Sequence, residues 1–390
     1  MSSYDVIVIG AGSIGTPTAM ALANAGLKTL VIDKLASVAQ GDNKHAIGGI
    51  RATHSQKSKI HVCQRSIEIF STWENLHNED IWWEQNGYSF VARSLEHEQL
   101  LRETVELQKS YGLNINFLDT EKIRELIPGI NPNGLRGGTF SPEDGNASPL
   151  YSVHAFFDDS IRNGAEYHFK EEVTEILTDC HRVVGVKTNK DEYLAPFVIN
   201  AAGGHAKKVA QMVNIDIPVE PDSHEAGITE PVKHFLKPMV VDIQPGTDPT
   251  FGNSKNYYFY QNKFGKIIFC ITPNPSIKGT DRNETSSFLP QIAKRMVDLM
   301  PRLSNIKVRR QWRGLYPMTP DGIPIVGTVK ELEGYINAVG MCGQGFMLGP
   351  GLGEVICRLV QGPEKLSNDD KEILEEFSLY RDFGFVEKLK

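Results

Sequence analysis

The sequence predicts an α/β protein: a parallel, doubly wound layer interrupted by an α+β portion on an antiparallel sheet. Three observations carry this. A strand, a glycine turn, a helix and a second strand follow one another at the N-terminus. Short buried strands ending in small residues return after residue 165. After Pro218 the strands become aromatic and alternating.

Taken in order, residues 5–9 form a compact β-branched run that ends at glycine, the pattern of a strand buried on both faces. Residues 14–25, rich in Ala, Met and Leu, predict a helix ended by Gly26. Residues 27–33 are a second buried strand, which completes a right-handed βαβ unit. Residues 40–58 are polar and glycine-punctuated and read as an extended loop. Residues 59–76 have helical spacing, 87–93 read as a strand and 96–111 as a helix. The Gly-, Pro- and Asn-rich stretch 131–148 reads as a crossing between domains, followed by a helix over 149–163.

Strands are predicted at 165–169, 183–188 and 196–202. Those at 256–260 and 266–272 point to the antiparallel sheet. A helix at 286–300, a strand at 334–338 and a helix at 349–361 precede a charged, weakly amphipathic segment over 368–390. The organisation is therefore discontinuous. A dinucleotide-binding domain spans 1–80, 145–217 and 320–365. A substrate domain spans 81–144 and 218–319, and 366–390 is a C-terminal tail.

Composition excludes several classes. In 390 residues, 41 Lys+Arg against 48 Asp+Glu give a net charge of −7, unsuited to nucleic acid. Cys63, Cys180, Cys270, Cys342 and Cys357 lie far apart with no C-x-x-C pair. Free thiols in a reducing cytosol fit better than disulfides or a metal site, so a cytoplasmic, metal-free protein is expected. The apolar run at the N-terminus lacks a basic flank and is too short to span a bilayer, and no membrane span is expected.

Gly10-Ala11-Gly12-Ser13-Ile14-Gly15 is a G-x-G-x-x-G between a strand and a helix. Gly10 permits the tight turn, Gly12 lets backbone approach a pyrophosphate, and Gly15 lets helix and strand pack closely. The helix N-terminus favours phosphate, and Asp33 ends the second strand where it can accept ribose hydroxyls. The turn's place at the extreme N-terminus, with a distant second glycine cluster, favours FAD over NAD. That second cluster is the 198–204 run VINAAGG, whose small residues let backbone approach a ligand. A third spans 312–327, followed by the glycine-rich 340–350 run, whose N–H groups can stabilise negative charge on a reduced flavin ring.

These features resemble the D-amino-acid-oxidase superfamily of flavoproteins. Within it the chain is most similar to the sarcosine oxidase group, especially β subunits of sarcosine oxidase and L-proline dehydrogenase. The resemblance rests on Gly10–Gly15 with Asp33, Gly49-Ile50-Arg51, Asn200–Gly203, Met318-Thr319-Pro320-Asp321 and Gly343–Met347, in the family's order. It implies a Rossmann-like FAD-binding domain with an inserted α+β substrate domain on an antiparallel sheet. The cofactor-binding set is Gly10, Gly12, Ser13, Ile14, Gly15, Asp33, Lys34, Gly49, Ile50, Arg51, Val173, Ala201, Ala202, Gly203, Gly343, Gln344, Gly345, Phe346 and Met347. The catalytic set is Arg51, Tyr258, Gln344 and Met347.

The resemblance implies that Arg51 lies by the flavin and holds a substrate carboxylate, a task suited to its bidentate fork. His54 on the same loop is a weaker candidate. Tyr258 is expected in the pocket by resemblance. It shares a strand face with Tyr260, with Tyr257 on the other face. Where monomeric sarcosine oxidases attach flavin through cysteine this chain has Gly314, which implies non-covalent FAD. The family's oxygen-activating lysine aligns with Ile268, with Lys266 close by, which argues against fast oxidase chemistry. The His and Lys of the family's glycine loop become Gln344 and Met347; loss of that carboxylate-holding lysine argues against sarcosine, and a methionine there resembles the proline dehydrogenase and cyanide-forming glycine dehydrogenase relatives. Cys342 beside that loop reads as a buried, inert thiol.

The implied reaction is oxidation of the C–N bond of a small amino or imino acid such as sarcosine, proline or glycine. Hydride passes to flavin and the imine product hydrolyses. A partner subunit or separate electron acceptor is implied, and no residue stands out as a general base. The rival readings are a 2-hydroxy-acid or glycerol-phosphate dehydrogenase on the same fold, and an FAD-carrying subunit without turnover.

Overall fold

A computed structural model describes residues 2–246 and 253–384. Its centre is a six-stranded sheet in the order Ile325–Thr328, Tyr335–Val339, Phe197–Asn200, Val6–Ile9, Thr29–Asp33, Glu166–Phe169. Every neighbouring pair is parallel except the first, which is antiparallel. Val6–Ile9 lies mid-sheet and is buried on both faces: Val6 and Val8 join one core, Ile7 and Ile9 another. That two-sided burial explains the unbroken apolar run in the sequence.

One face of this sheet carries the helices Gly15–Asn24, Pro149–Arg162 and Gly345–Gln361. The first and last cross at glycine: a Cβ on Gly349 would strike the Ser13 carbonyl, and one on Gly353 would come within 2.7 Å of the Pro17 carbonyl. The other face is covered by Ala206–Gln211 and a smaller sheet of Ser2–Ser3, Glu192–Leu194, Arg182–Thr188 and Val173–Asp179.

The second large sheet has eight strands, in the order Val308–Met318, Glu220–Pro231, Lys266–Asn274, Asn253–Gln261, Met239–Asp242, Tyr88–Ala92, Gly137–Phe140, Asn116–Leu118. It is antiparallel apart from the parallel pairing of Met239–Asp242 with Tyr88–Ala92. Tyr257 and Phe259 point into the core under Phe288–Leu299, while Tyr260 and Cys270 pack on the opposite face.

The structure corrects four expectations. The 40–58 loop contains a short strand, Gly49–Ile50, paired with Gly145–Asn146, and the next helix already starts at Lys57. The 131–148 crossing supplies Gly137–Phe140 to the eight-stranded sheet. The helix read from residue 349 begins at Gly345. Of the 366–390 tail, the described part, 366–384, is packed on the parallel layer: Ser367 and Asp370 form a capping box on Asn368–Glu376, Phe377 is fully buried, and Arg381 pairs with buried Asp321. Residues 385–390 of that segment lie outside the described residues.

Candidate active site

The carboxyl ends of Val6–Ile9, Thr29–Asp33 and Phe197–Asn200 open on a cavity of about 1120 Å³, whose far wall is the eight-stranded sheet. Gly10 (φ 110°) ends the first strand against the second glycine cluster, where a Cβ would lie 2.6 Å from the Ala201 carbonyl. A Cβ on Gly12 would meet nothing within 4 Å, so this residue opens the backbone to the cavity. Ser13 and Ile14 also line it, at a helix start whose first N–H groups have no partner within the helix. Gly15 does not line the cavity. A side chain there would strike the Gly10 carbonyl, so Gly15 serves the close packing of turn and helix.

Asp33 is locked in place, one oxygen accepting from the Ala11 N–H and the other from the Leu35 N–H, both at 2.8 Å. Each oxygen keeps a further lone pair for a hydroxyl. Lys34 and Val173 extend this end of the cavity, and Ala201, Ala202 and Gly203 form its floor. The cofactor-binding assignment of Ile50 is not supported by its position: Ile50 is wholly buried in the main core and does not reach the cavity. Its neighbour Gly49 does, under the Tyr88 hydroxyl.

At the opposite end the 340–344 loop turns sharply, with Gly340 (φ 71°), Cys342 (φ 50°) and Gly343 (φ 79°) all left-handed. The Cys342 thiol sits 3.2 Å from Thr319 Oγ1 and 3.1 Å from the Gly340 carbonyl, so it ties this loop to the Met318–Pro320 turn. Gly343 underlies the Tyr316 ring. Gln344, Phe346 and Met347 line the cavity from the first turn of the helix, and buried Gln344 Oε1 has no hydrogen-bond partner. A Cβ on Gly345 would lie 3.1 Å from Ser13 Oγ, so two helix N-termini converge here.

Arg51 is 8% exposed and lines the cavity. Its guanidinium donates to the Thr53 carbonyl, lies 3.4 Å from His54 Nδ1, and stands 5.4 Å from the Phe90 ring centre. His54 is behind the wall. Burial, with Arg51 and Lys59 nearby, holds its imidazole well below the usual histidine range. Tyr258 is on the wall, its hydroxyl 2.8 Å from that of Tyr316. Tyr316 in turn stacks on His224 at 3.9 Å between ring centres. Burial, with Lys255 nearby, pushes His224 down to about 3; Asp222 at 4.0 Å is too distant to hold it charged. Burial pushes the Cys270 thiol up to about 11. Lys266 and Ile268 do not line the cavity, and at Gly314 a Cβ would lie 2.8 Å from His45 Cβ.

His224 and Cys270 are among the wall residues that sequence reasoning missed. His224 sits on Glu220–Pro231, whose prolines and acids hid a strand. Tyr316 was visible only as part of the 312–327 run.

The fit to a dinucleotide is direct: an open glycine at the first turn, a fixed carboxylate at the second strand end, and a partnerless amide oxygen where the two helix starts meet. Residues 5–359 match the family described as DAO, FAD dependent oxidoreductase.

The chain belongs to the DAO family of FAD-dependent oxidoreductases. FAD is the cofactor that this fold and the glycine turn accommodate. The hydrogen cyanide synthase subunit HcnC of Pseudomonas protegens is 26% identical over 92% of this chain and 92% of its own length. The sarcosine oxidase subunit beta of an Arthrobacter species is 25% identical over 96% of this chain and 91% of its own. Among solved structures, the L-proline dehydrogenase of P. horikoshii superposes with a TM-score of 0.89 at 28% identity, covering 99% of both chains. The superposition on that structure extends over the two-sheet frame from end to end. No helix among the described residues is long and apolar enough to cross a membrane.

Proposed function

We propose that this DAO-family protein oxidises the C–N bond of a small amino or imino acid, the class that includes sarcosine, proline and glycine. The observation that carries the proposal is the buried guanidinium of Arg51 on the cavity wall, between the N-terminal glycine turn and the Tyr258–Tyr316 pair. A buried cation on a cavity wall suits an anionic ligand, and a guanidinium suits a carboxylate in two-point contact.

Bound FAD supplies the hydride acceptor. The chain's own residues do the rest. Arg51 takes the carboxylate and fixes the α-carbon. Tyr258, Tyr316 and neutral His224 form the far side of the pocket, so substrate is held in a fixed orientation. Gln344 and the two convergent helix starts place N–H groups and an amide where negative charge develops. Met347 presents an apolar surface where a second cation would otherwise compete for the carboxylate.

FAD is held without a covalent bond, because Gly314 offers no nucleophile. Ile268, with no amine at that position, supports electron transfer to an acceptor other than oxygen. The relatives named as subunits support a partner chain as that acceptor's site.

The test is an anaerobic spectral screen of purified holoenzyme against sarcosine, proline, glycine, dimethylglycine, 2-hydroxyglutarate and glycerol phosphate, followed by admission of air. The proposal predicts bleaching by an amino or imino acid and slow return of colour in air. Bleaching by the hydroxy compounds alone overturns it.

A further inference from the structure

Behind Arg51 lies a buried carboxyl that the mechanism above does not use. Asp144 is wholly inaccessible. Its Oδ1 accepts from the Ala52 N–H at 2.9 Å, the residue next to Arg51 and 92 positions away in sequence. Its Oδ2 has no hydrogen-bond partner. Its backbone is fixed as well: the Asp144 carbonyl accepts from Gly87 N–H, and the following Gly145–Asn146 pairs with Gly49–Ile50. The same short ladder therefore carries both Arg51 and Asp144.

We propose that Asp144 is a positioning residue for Arg51: its carboxyl holds the Arg51 loop through Ala52, and its charge state sets how tightly Arg51 takes a substrate carboxylate. This rests on the reading that Arg51 binds that carboxylate. The charged and titratable groups facing Asp144 are Arg51 on the loop, Tyr88 on the adjacent strand and Glu143 on its own turn. Burial, with the Glu143 charge, raises the carboxyl to about 7, with the Ala52 hydrogen bond, the Arg51 charge and the nearby Ser141 hydroxyl opposing.

The consequence has a definite sign. Ionised Asp144 places a negative charge beside Arg51 and competes with an incoming carboxylate. Protonated Asp144 does not. A bound carboxylate therefore favours the protonated form, binding takes up a proton, and affinity falls as pH rises through about 7. Asp144→Asn keeps an oxygen for the Ala52 N–H and removes the charge.

The experiment is calorimetric titration of holoenzyme with acetate at constant ionic strength, in two buffers of different ionisation enthalpy, across neutral pH. For the unaltered protein the dissociation constant should rise roughly tenfold across the transition, the effect of a coupling of about one pKa unit, with proton uptake on binding. Asp144→Asn should bind as the unaltered protein does at the acid end and show no such rise. Arg51→Met separates the two readings. If it binds acetate unchanged, the assignment of Arg51 fails. If it loses acetate while Asp144→Asn keeps the full pH dependence, the role of Asp144 fails. Absence of proton uptake by the unaltered protein also overturns it, and needs no variant.

Discussion

Gly343 and the ring of Tyr316 are in direct contact, so close that a Cβ on Gly343 would lie 2.2 Å from Tyr316 Cε2. The contact ties the glycine loop at the start of one helix to the wall of the eight-stranded sheet. It also fixes the Tyr316 hydroxyl against Tyr258 and the ring against His224.

Gly343→Ala is therefore expected to displace Tyr316, beyond the strain of its left-handed backbone (φ 79°). Overpacking of this kind costs about 1–3 kcal/mol. Thermal unfolding should show the loss, and turnover should fall further than in Tyr316→Phe, which removes only the hydroxyl contact.

Arg51→Met should leave FAD content unchanged and lower kcat/KM for carboxylate substrates by about a hundredfold or more, the range for removing a desolvated charge partner. Steady-state kinetics with an amino acid and its amide separate this from general damage, because the amide should lose far less.

Acid stability should depend on His224. Its folded-state value, about 3, lies below the ordinary 6.5, so the unfolded chain binds the extra proton first. The stability it allows is complete above about 6.5 and is lost as pH falls from there toward 3. Denaturant melts over this window should show a loss of a few kcal/mol that His224→Gln reduces.

Arg381 and Asp321 join the C-terminal segment to the Met318–Asp321 turn through contacts of 2.8 and 3.0 Å, with the Asp321 side chain fully inaccessible. Burial alone would raise that carboxyl. The Arg381 hydrogen bonds and the Ile323 N–H outweigh it and hold the group below its ordinary value. Arg381→Met strands a buried carboxylate and should destabilise by about 3–5 kcal/mol. Thermal denaturation would show it; an unchanged midpoint would mean that the segment is dispensable.

Acid precipitation should release FAD to the supernatant, because position 314 is glycine. Flavin retained on the pellet would contradict the non-covalent assignment.

What the sequence displayed, and what it hid, has a physical pattern. Residues 5–33 were legible because two-sided burial demands an unbroken apolar strand, and a ligand's close approach demands Gly10 and Gly12. The late loop was legible by its glycines, although its helix begins at Gly345, since Gly and Pro350 mask helical periodicity. Glu220–Pro231 was not legible, because two of its buried polar groups are satisfied by distant partners: Glu225 accepts from Thr285, and Ser223 from Arg313. Ile50 was assigned to the cofactor through its neighbours, whereas strand alternation turns it into the core. Asp144 carried no signal at all, since a Glu-Asp pair in a Pro- and Gly-rich stretch looks like a solvated turn.

The most direct test is a crystal structure of the holoenzyme with acetate bound. The account predicts FAD along Gly10–Ile14 with its ring system against Gly343–Met347, and both acetate oxygens on the Arg51 guanidinium at about 2.7–2.9 Å. A ring system lodged elsewhere, or acetate held away from Arg51, would contradict it.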